Sequence, residues 1–188
     1  LIKITEDIAV PSPPDRVWEV ISDPKEVVAC IGGAELGESH EDGSFDGTLV
    51  VKFGAVRVKF GARVSLDLDE PAREGRLSAR GKDGQGATRF KAEATFGVSD
   101  DGNGGSKVSM NGEITLSGKL ASLIEAGAGA VVSRMTKEFT AELIRRCGGE
   151  PEPAPARKSF WARVRDWWRR IVHKGQNEQE GVRSGKAQ

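Results

Sequence analysis

Histidine, cysteine, serine and carboxylate side chains are the groups of this 188-residue chain that could make or break bonds, and their spacing argues against most such chemistry. His40 falls in a turn-like stretch and His173 near the C-terminal end, so neither has a partner at ligand or catalytic spacing. Cys30 and Cys147 form no Cys-x-x-Cys pair, which removes a zinc site and a disulfide framework and makes a reducing cytoplasm the expected setting. No serine stands in a recognisable pattern with a histidine and an acid. Gly81-Lys82-Asp83-Gly84-Gln85-Gly86 is glycine-rich but no helical pattern comes after it, so it reads as a turn and not a phosphate cradle. Most carboxylates alternate to the outside of strand patterns or sit in turns. Glu125 and Glu138, in a helical stretch, are the two that could approach an interior. No catalytic residue and no metal site is expected. What remains is recognition of an apolar molecule.

The elements that would build such a site centre on Gly118 to Cys147. This stretch has no proline, and Leu120, Leu123, Ile124, Val131, Met135, Phe139 and Leu143 step by three, four and seven, which predicts one helix of roughly 45 Å. Its middle, Ala126-Gly127-Ala128-Gly129-Ala130, is small throughout, although each interior glycine costs roughly 1 kcal/mol relative to alanine. Either another backbone packs closely there or a ligand occupies the room. Ahead of it, Leu1 to Val10 reads as a strand. Ser12-Pro13-Pro14-Asp15 starts a short helix with Ser12 as its N-cap and Val17, Trp18, Val20 and Ile21 as its apolar side. A second short helix runs from Pro24 to Cys30 and stops at Gly32-Gly33. Strands are then predicted over 44–53, 55–66, 75–82, 87–98 and 107–116, each alternating between an apolar and a polar face, with an emphatic turn at Asp100 to Gly105.

The inner face of such a sheet needs a cover, and the long helix is the one element of the right length. Ala62, Ala79, Ala92, Ala94 and Gly112 on the strands would then face the small middle of the helix, leaving both walls thin. This favours a cavity. Its candidate lining is Phe53, Val58, Phe60, Leu77, Phe90, Phe96 and Met110 from the sheet, with Leu123, Gly127, Val131 and Met135 from the helix. The apolar stripe drifts along the helix, because Phe139 and Leu143 lie about 100° round from Leu120, Ile124 and Val131. Its first half is therefore expected to line the cavity and its second half to pack elsewhere.

Formal net charge is zero, but unevenly distributed. Residues 1–156 carry 19 basic and 25 acidic side chains, whereas 157–174 carry seven basic and one acidic. Glu150 to Ala156 alternates proline with small or acidic residues, so 149–157 reads as an extended linker between a domain at 1–148 and a basic segment at 158–174. In 158–174, Phe160, Trp161, Val164, Trp167, Trp168, Ile171 and Val172 fall on one helical arc, while Arg163, Arg165, Arg169, Arg170, His173 and Lys174 fill the rest. That pattern suits an amphipathic helix lying in an anionic membrane surface. Docking on the domain itself or in a partner's groove are the competing readings. Nucleic acid is disfavoured, because the aromatics form one face and are not interleaved with the cations. Residues 175–188 read as a disordered tail. No leader is read in Leu1 to Val10, which Lys3, Glu6 and Asp7 interrupt, and no apolar run is long enough to span a bilayer.

The order strand, two short helices, antiparallel strands and long last helix resembles the α+β helix-grip fold of the START-like and Bet v 1-like (SRPBCC) superfamily. More narrowly, the chain resembles the family of the carbon monoxide dehydrogenase G subunit. The residues that carry this are Val10-Pro11-Ser12-Pro13-Pro14-Asp15-Arg16-Val17-Trp18, Cys30-Ile31-Gly32-Gly33-Ala34-Glu35, Val56-Arg57-Val58-Lys59-Phe60-Gly61 and Gly118-Lys119-Leu120-Ala121. The likeness covers about residues 1–147. Gly32 stands where the family's Cys-x-Pro-Gly turn has proline, and Phe45 where a hydroxylated aromatic is often found. The resemblance implies a non-catalytic accessory protein that carries a respiratory quinone (menaquinone or ubiquinone) with no covalent cofactor. It further implies recruitment of a molybdenum-containing carbon monoxide dehydrogenase to the inner face of the cytoplasmic membrane. A tethered lipid-binding or lipid-transfer protein, or a small-molecule enzyme on the same fold, is the alternative.

Overall fold

Short apolar-alternating segments separated by glycine and aspartate turns pair in sequence order from the second strand to the seventh, and the first strand closes on the last. The chain divides after Pro151, and the computed structural model describes residues 1–148; the expected linker 149–157, helix 158–174 and tail 175–188 lie outside the described residues. The elements are β1 (Ile2–Val10), α1 (Pro14–Ile21), α2 (Pro24–Ala29), β2 (Ala34–Ser39), β3 (Phe45–Phe53), β4 (Val56–Asp69), β5 (Glu74–Asp83), β6 (Thr88–Asp100), β7 (Ser106–Gly118) and α3 (Ala121–Arg146). All seven strands form one curved antiparallel sheet in the order β1-β7-β6-β5-β4-β3-β2, with α3 laid against it. This is the α+β helix-grip architecture expected from the sequence.

Two local expectations need correction. Strand β2 is absent from the sequence reading, because Ala34-Glu35-Leu36-Gly37-Glu38-Ser39 has little apolar alternation. It is an edge strand, held by pairing with β3, and its register shifts between Leu36 and Ser39. Ser12 does not cap α1. Pro13 occupies the cap position without a side-chain hydrogen bond, while the buried Ser12 hydroxyl donates to the Cys147 carbonyl at 3.3 Å. The Ser12 carbonyl in turn accepts from the Ser106 hydroxyl at 2.6 Å. Ser12 is thus a tie between the start of α1, β7 and the end of α3. The next helix does carry a side-chain cap: the Asp23 carboxylate accepts from the Lys25 amide at 2.8 Å.

Two separate apolar cores result. One gathers Ile8, Val10, Val17, Trp18, Val20, Ile21, Val98, Val108, Leu143, Ile144 and Cys147, joining α1 to the far ends of β1, β6, β7 and α3. The other gathers Val51, Phe53, Val58, Phe60, Ile124 and Val131, joining β3 and β4 to the first half of α3. The two halves of α3 pack separately, as its drifting stripe predicts, but the first half enters a core where a cavity lining is expected from the sequence. Its C-terminal carbonyls are also tied down: Arg16 Nη2 donates to the Arg146 carbonyl at 2.9 Å, and Arg146 Nη1 meets Glu26 at 2.6 Å.

Candidate functional site

Of the eleven residues predicted to line a cavity, the structure brings together six. Phe53, Val58, Phe60 and Val131 are buried in the second core, with Phe90 and Met135 packed on them. Phe60 and Phe90 meet edge to face with ring centroids 5.7 Å apart. Phe96 belongs to the first core instead, tilted against Trp18 at 6.1 Å, and the Trp18 indole N–H is taken by Glu70 at 2.5 Å. Leu123 is a correction. It is 41% exposed, on the solvent side of α3's first turn, because Ile124 takes the inward position one residue later.

Gly127 and Gly129 do different things. A Cβ added at Gly127 would stand 3.0 Å from Phe53 Cδ1, whereas one at Gly129 would meet nothing within 4 Å. The helix glycine thus admits a close aromatic neighbour, so at this point tight packing and not ligand space explains the small residue. The sheet repeats the device. Phe96 lies over Gly75 and Phe90 over Gly81, its cross-strand neighbours, with ring atoms where a Cβ would be. Both rings lie along the sheet over those glycines.

Between the two cores lies the feature that could hold an apolar guest. Leu66, Leu77, Ala94, Gly112 and Ile4 stand in register across β4, β5, β6, β7 and β1. All are inward by alternation, all are half-buried, and none belongs to either core. Ala92, Ile114 and Met110, on the neighbouring rows, share this condition. Among the candidate lining residues, Leu77 and Met110 sit on this strip. Apolar side chains on the concave face of a sheet, covered by a helix yet left partly accessible, are the surface a hydrophobic ligand would complete.

An open groove of about 360 Å³ lies between β1 and α3, lined by Ile2, Lys3, Glu6, Ala128, Gly129, Val132, Ser133, Thr136 and Lys137. Ile4, the last residue of the row, lies between Ile2 and Glu6 on the same face of β1. None of the eleven predicted residues lines this groove. A lone sequence held one usable signal for it, the inward parity of Glu6 in an otherwise apolar strand face. The small residues on the helix side required knowing that α3 lies beside β1.

The family is decided by sequence. The model of the CoxG family, which describes the G subunit of carbon monoxide dehydrogenase, matches residues 7–147. The chain belongs to this family. No curated protein matches it. Solved structures share the fold of this CoxG-family chain. A conserved protein from Geobacillus kaustophilus aligns with a TM-score of 0.68 at 19% identity over 78% of this chain and 95% of that one. The Zhui aromatase/cyclase from Streptomyces sp. R1128 aligns at 0.54 and 14% identity, over 78% and 93%. A START superfamily protein from Mycobacterium smegmatis aligns at 0.52 and 15%, over 76% and 97%.

Several titratable groups among the described residues of this CoxG-family chain have structural partners. Asp83, buried on the inner face, accepts from the amides of Gln85 at 3.2 Å and Ala87 at 2.8 Å and so closes the β5–β6 turn. His40 is held by charged neighbours: its Nε2 lies 3.1 Å from Asp46 and 2.8 Å from Arg63 Nη2. The imidazole holds the Asp46 carboxyl below the usual carboxylate range, with Arg63 assisting. Glu138 sits by the Gly32 turn, 3.6 Å from where a Gly32 Cβ would be, and Glu125 is exposed. Burial pushes the Cys30 thiol up to about 11, which keeps it a neutral, unreactive group at physiological pH. Among the described residues no cluster of His, Cys, Asp and Glu could hold a metal ion, and no helix is long and apolar enough to cross a membrane.

Proposed function

We propose that this CoxG-family chain is a non-catalytic accessory protein that carries a respiratory quinone, menaquinone or ubiquinone, on the inner face of its sheet. In this reading it serves a molybdenum-containing carbon monoxide dehydrogenase at the inner face of the cytoplasmic membrane, with 158–174 as a membrane-binding segment. The observation that carries the ligand reading is the half-buried row Leu66–Leu77–Ala94–Gly112–Ile4 between two closed cores. A prenyl chain needs a long apolar wall without buried charge, and the row supplies one across five strands. The headgroup would then reach the groove, where Lys3, Glu6 and Lys137 offer hydrogen-bonding partners at its rim. The family assignment supports the enzyme partner, and the charge and tryptophan pattern of 158–174 supports the membrane. An enzyme on this fold would need two convergent ionisable groups inside. The inner face offers Glu6 at one strand edge and Asp83, already engaged by turn amides.

The test is native mass spectrometry of the full chain isolated from quinone-containing membranes, followed by solvent extraction. A bound quinone is expected, and Ala94→Leu, which fills the centre of the row, is expected to weaken uptake of a short-chain ubiquinone at least about tenfold. A chain that carries no quinone and takes none up would overturn the ligand reading. An unchanged affinity in Ala94→Leu would move the site off this row.

A further inference from the structure

The outer face of the sheet is divided by charge in a way that neither the ligand nor the 158–174 segment explains. At the end of the domain formed by the β3–β4 hairpin, the β5–β6 turn and the start of α3, the surface carries Lys52, Arg57, Lys59, Lys82, Arg89 and Lys119. All six are exposed or half-exposed, and none makes an ion pair among the described residues. Two pairs of them stand directly across from one another: Lys52 opposite Arg57 and Lys82 opposite Arg89. Like charges opposite each other weaken a sheet, so the fold sustains a repulsion here that an external anion would relieve. At the other end of the same face the ladder carries Asp7, Glu74 and Asp69 in one row, Asp100 ends β6, and the adjoining turns carry Glu70 and Asp101. The body is acidic in sum, so its cations are gathered, not merely abundant.

The cationic end also holds exposed aliphatic side chains. Val56, at the tip of the β3–β4 hairpin, is 42% exposed, and Leu123, on the first turn of α3, is 41% exposed. Both elements are anchored at this end: the Gly84 amide donates to the Lys59 carbonyl, and the Lys119 amide to the Ala87 carbonyl. Aliphatic tips inside a fringe of unpaired lysine and arginine are the chemistry of contact with an anionic lipid surface. A purely acidic protein partner would match the cations but leave Val56 and Leu123 unexplained.

We propose that this end of the folded domain is itself a membrane-docking surface, seating the β3–β4 tip and the first turn of α3 in the interface of an anionic bilayer. The contact is separate from 158–174 and sets which end of the domain faces the lipid. It does not depend on which ligand is carried.

An environment-sensitive dye on the full chain tests this, placed by Ala55→Cys at the hairpin tip or by Asp100→Cys at the opposite end. Cys30 and Cys147 are buried and do not compete for label. With vesicles of phosphatidylglycerol and phosphatidylcholine in equal parts, the dye at 55 is expected to shift to the blue and the dye at 100 to stay unchanged. Raised salt, or vesicles of phosphatidylcholine alone, should abolish the shift. Arg57→Glu with Lys59→Glu should weaken the vesicle dependence of the shift about tenfold or more. A silent dye at 55 while the chain still pellets overturns the proposal and leaves the 158–174 reading intact. A chain that neither pellets nor shifts overturns both. A shift with polyglutamate but not with vesicles overturns it in favour of an acidic protein partner.

Discussion

The two ends of this domain solve the packing problem in opposite ways. At the α1–α2 end, Leu143 and Val17 have no exposure, Trp18 is fixed by Glu70 and Phe96, and the carbonyls that finish α3 are taken by Arg16 and Ser12. Among the described residues, every ion pair that α1, α2 and the end of α3 make with another element is at this end, as in Arg146 with Glu26 and Arg73 with Asp15. At the hairpin end the core is smaller, α3 carries glycines, cations stand unpaired among the described residues, and aliphatic side chains face outward. One end holds α3 in place and the other leaves room beside it. A protein that must take up and release an apolar guest needs this division, because mobile elements come from the less stable part of a fold.

The strongest way to break the comparison is at leucine. Leu143→Ala should lower unfolding free energy by about 2–5 kcal/mol, whereas Leu123→Ala should change it by no more than about 0.5 kcal/mol. Urea denaturation of both variants measures the contrast, and equal losses would mean that the ends are equally packed. Next in size is the aromatic cover of the sheet. Gly75→Ala places a Cβ inside contact distance of Phe96 Cζ. It should displace that ring from Trp18 and cost about 1–3 kcal/mol, visible in the near-ultraviolet dichroism of Trp18 and in the melting temperature.

The thiol at the tight end gives a pH signature. Burial raises Cys30 from an ordinary 9.0 to about 11, so the folded state keeps a proton that the unfolded state releases. Its contribution is fully present below pH 9 and is lost as pH rises through about 11. The denaturation midpoint should fall across that window and fall less in Cys30→Ala, with Cys147, also raised by burial, supplying the remainder. The smallest effect separates the two helix glycines. Gly129→Ala, in open space, should stabilise by up to about 1 kcal/mol. Gly127→Ala should gain less or lose stability, because Phe53 Cδ1 lies 3.0 Å from the new Cβ. Thermal melts of the pair decide it, and identical gains would show that Phe53 moves aside freely.

Much of the domain was legible because period and punctuation agree along the chain. The alternation of Val58, Phe60 and Ala62 against Arg57, Lys59 and Arg63 set the faces of β4 correctly. The drift from Ile124 and Val131 to Leu143 announced that the two halves of α3 pack separately, though not that the first half closes a core. Strand β2 was not legible, since an exposed edge strand is held by its neighbour's backbone and not by an apolar pattern. The inward side chains were legible, but six of the eleven proposed lining residues close a core and none lines the groove beside β1. Parity identifies which side chains point inward, but not that Phe90 and Phe96 lie along the sheet over Gly81 and Gly75, nor that Gly127 is small on account of Phe53.

By itself the sequence determined the fold class, the membership of a family and the inward and outward face of each predicted strand. These depend on local period and on the order of elements, both written along one dimension. Only the tertiary structure decided which rows line up across five strands, where α3 opens a groove beside β1, and that Lys52, Arg57, Lys59, Lys82, Arg89 and Lys119 share one end. Those facts depend on register and curvature. Hydrogen bonding between strands distant in sequence sets both, so no stretch of the chain contains them alone.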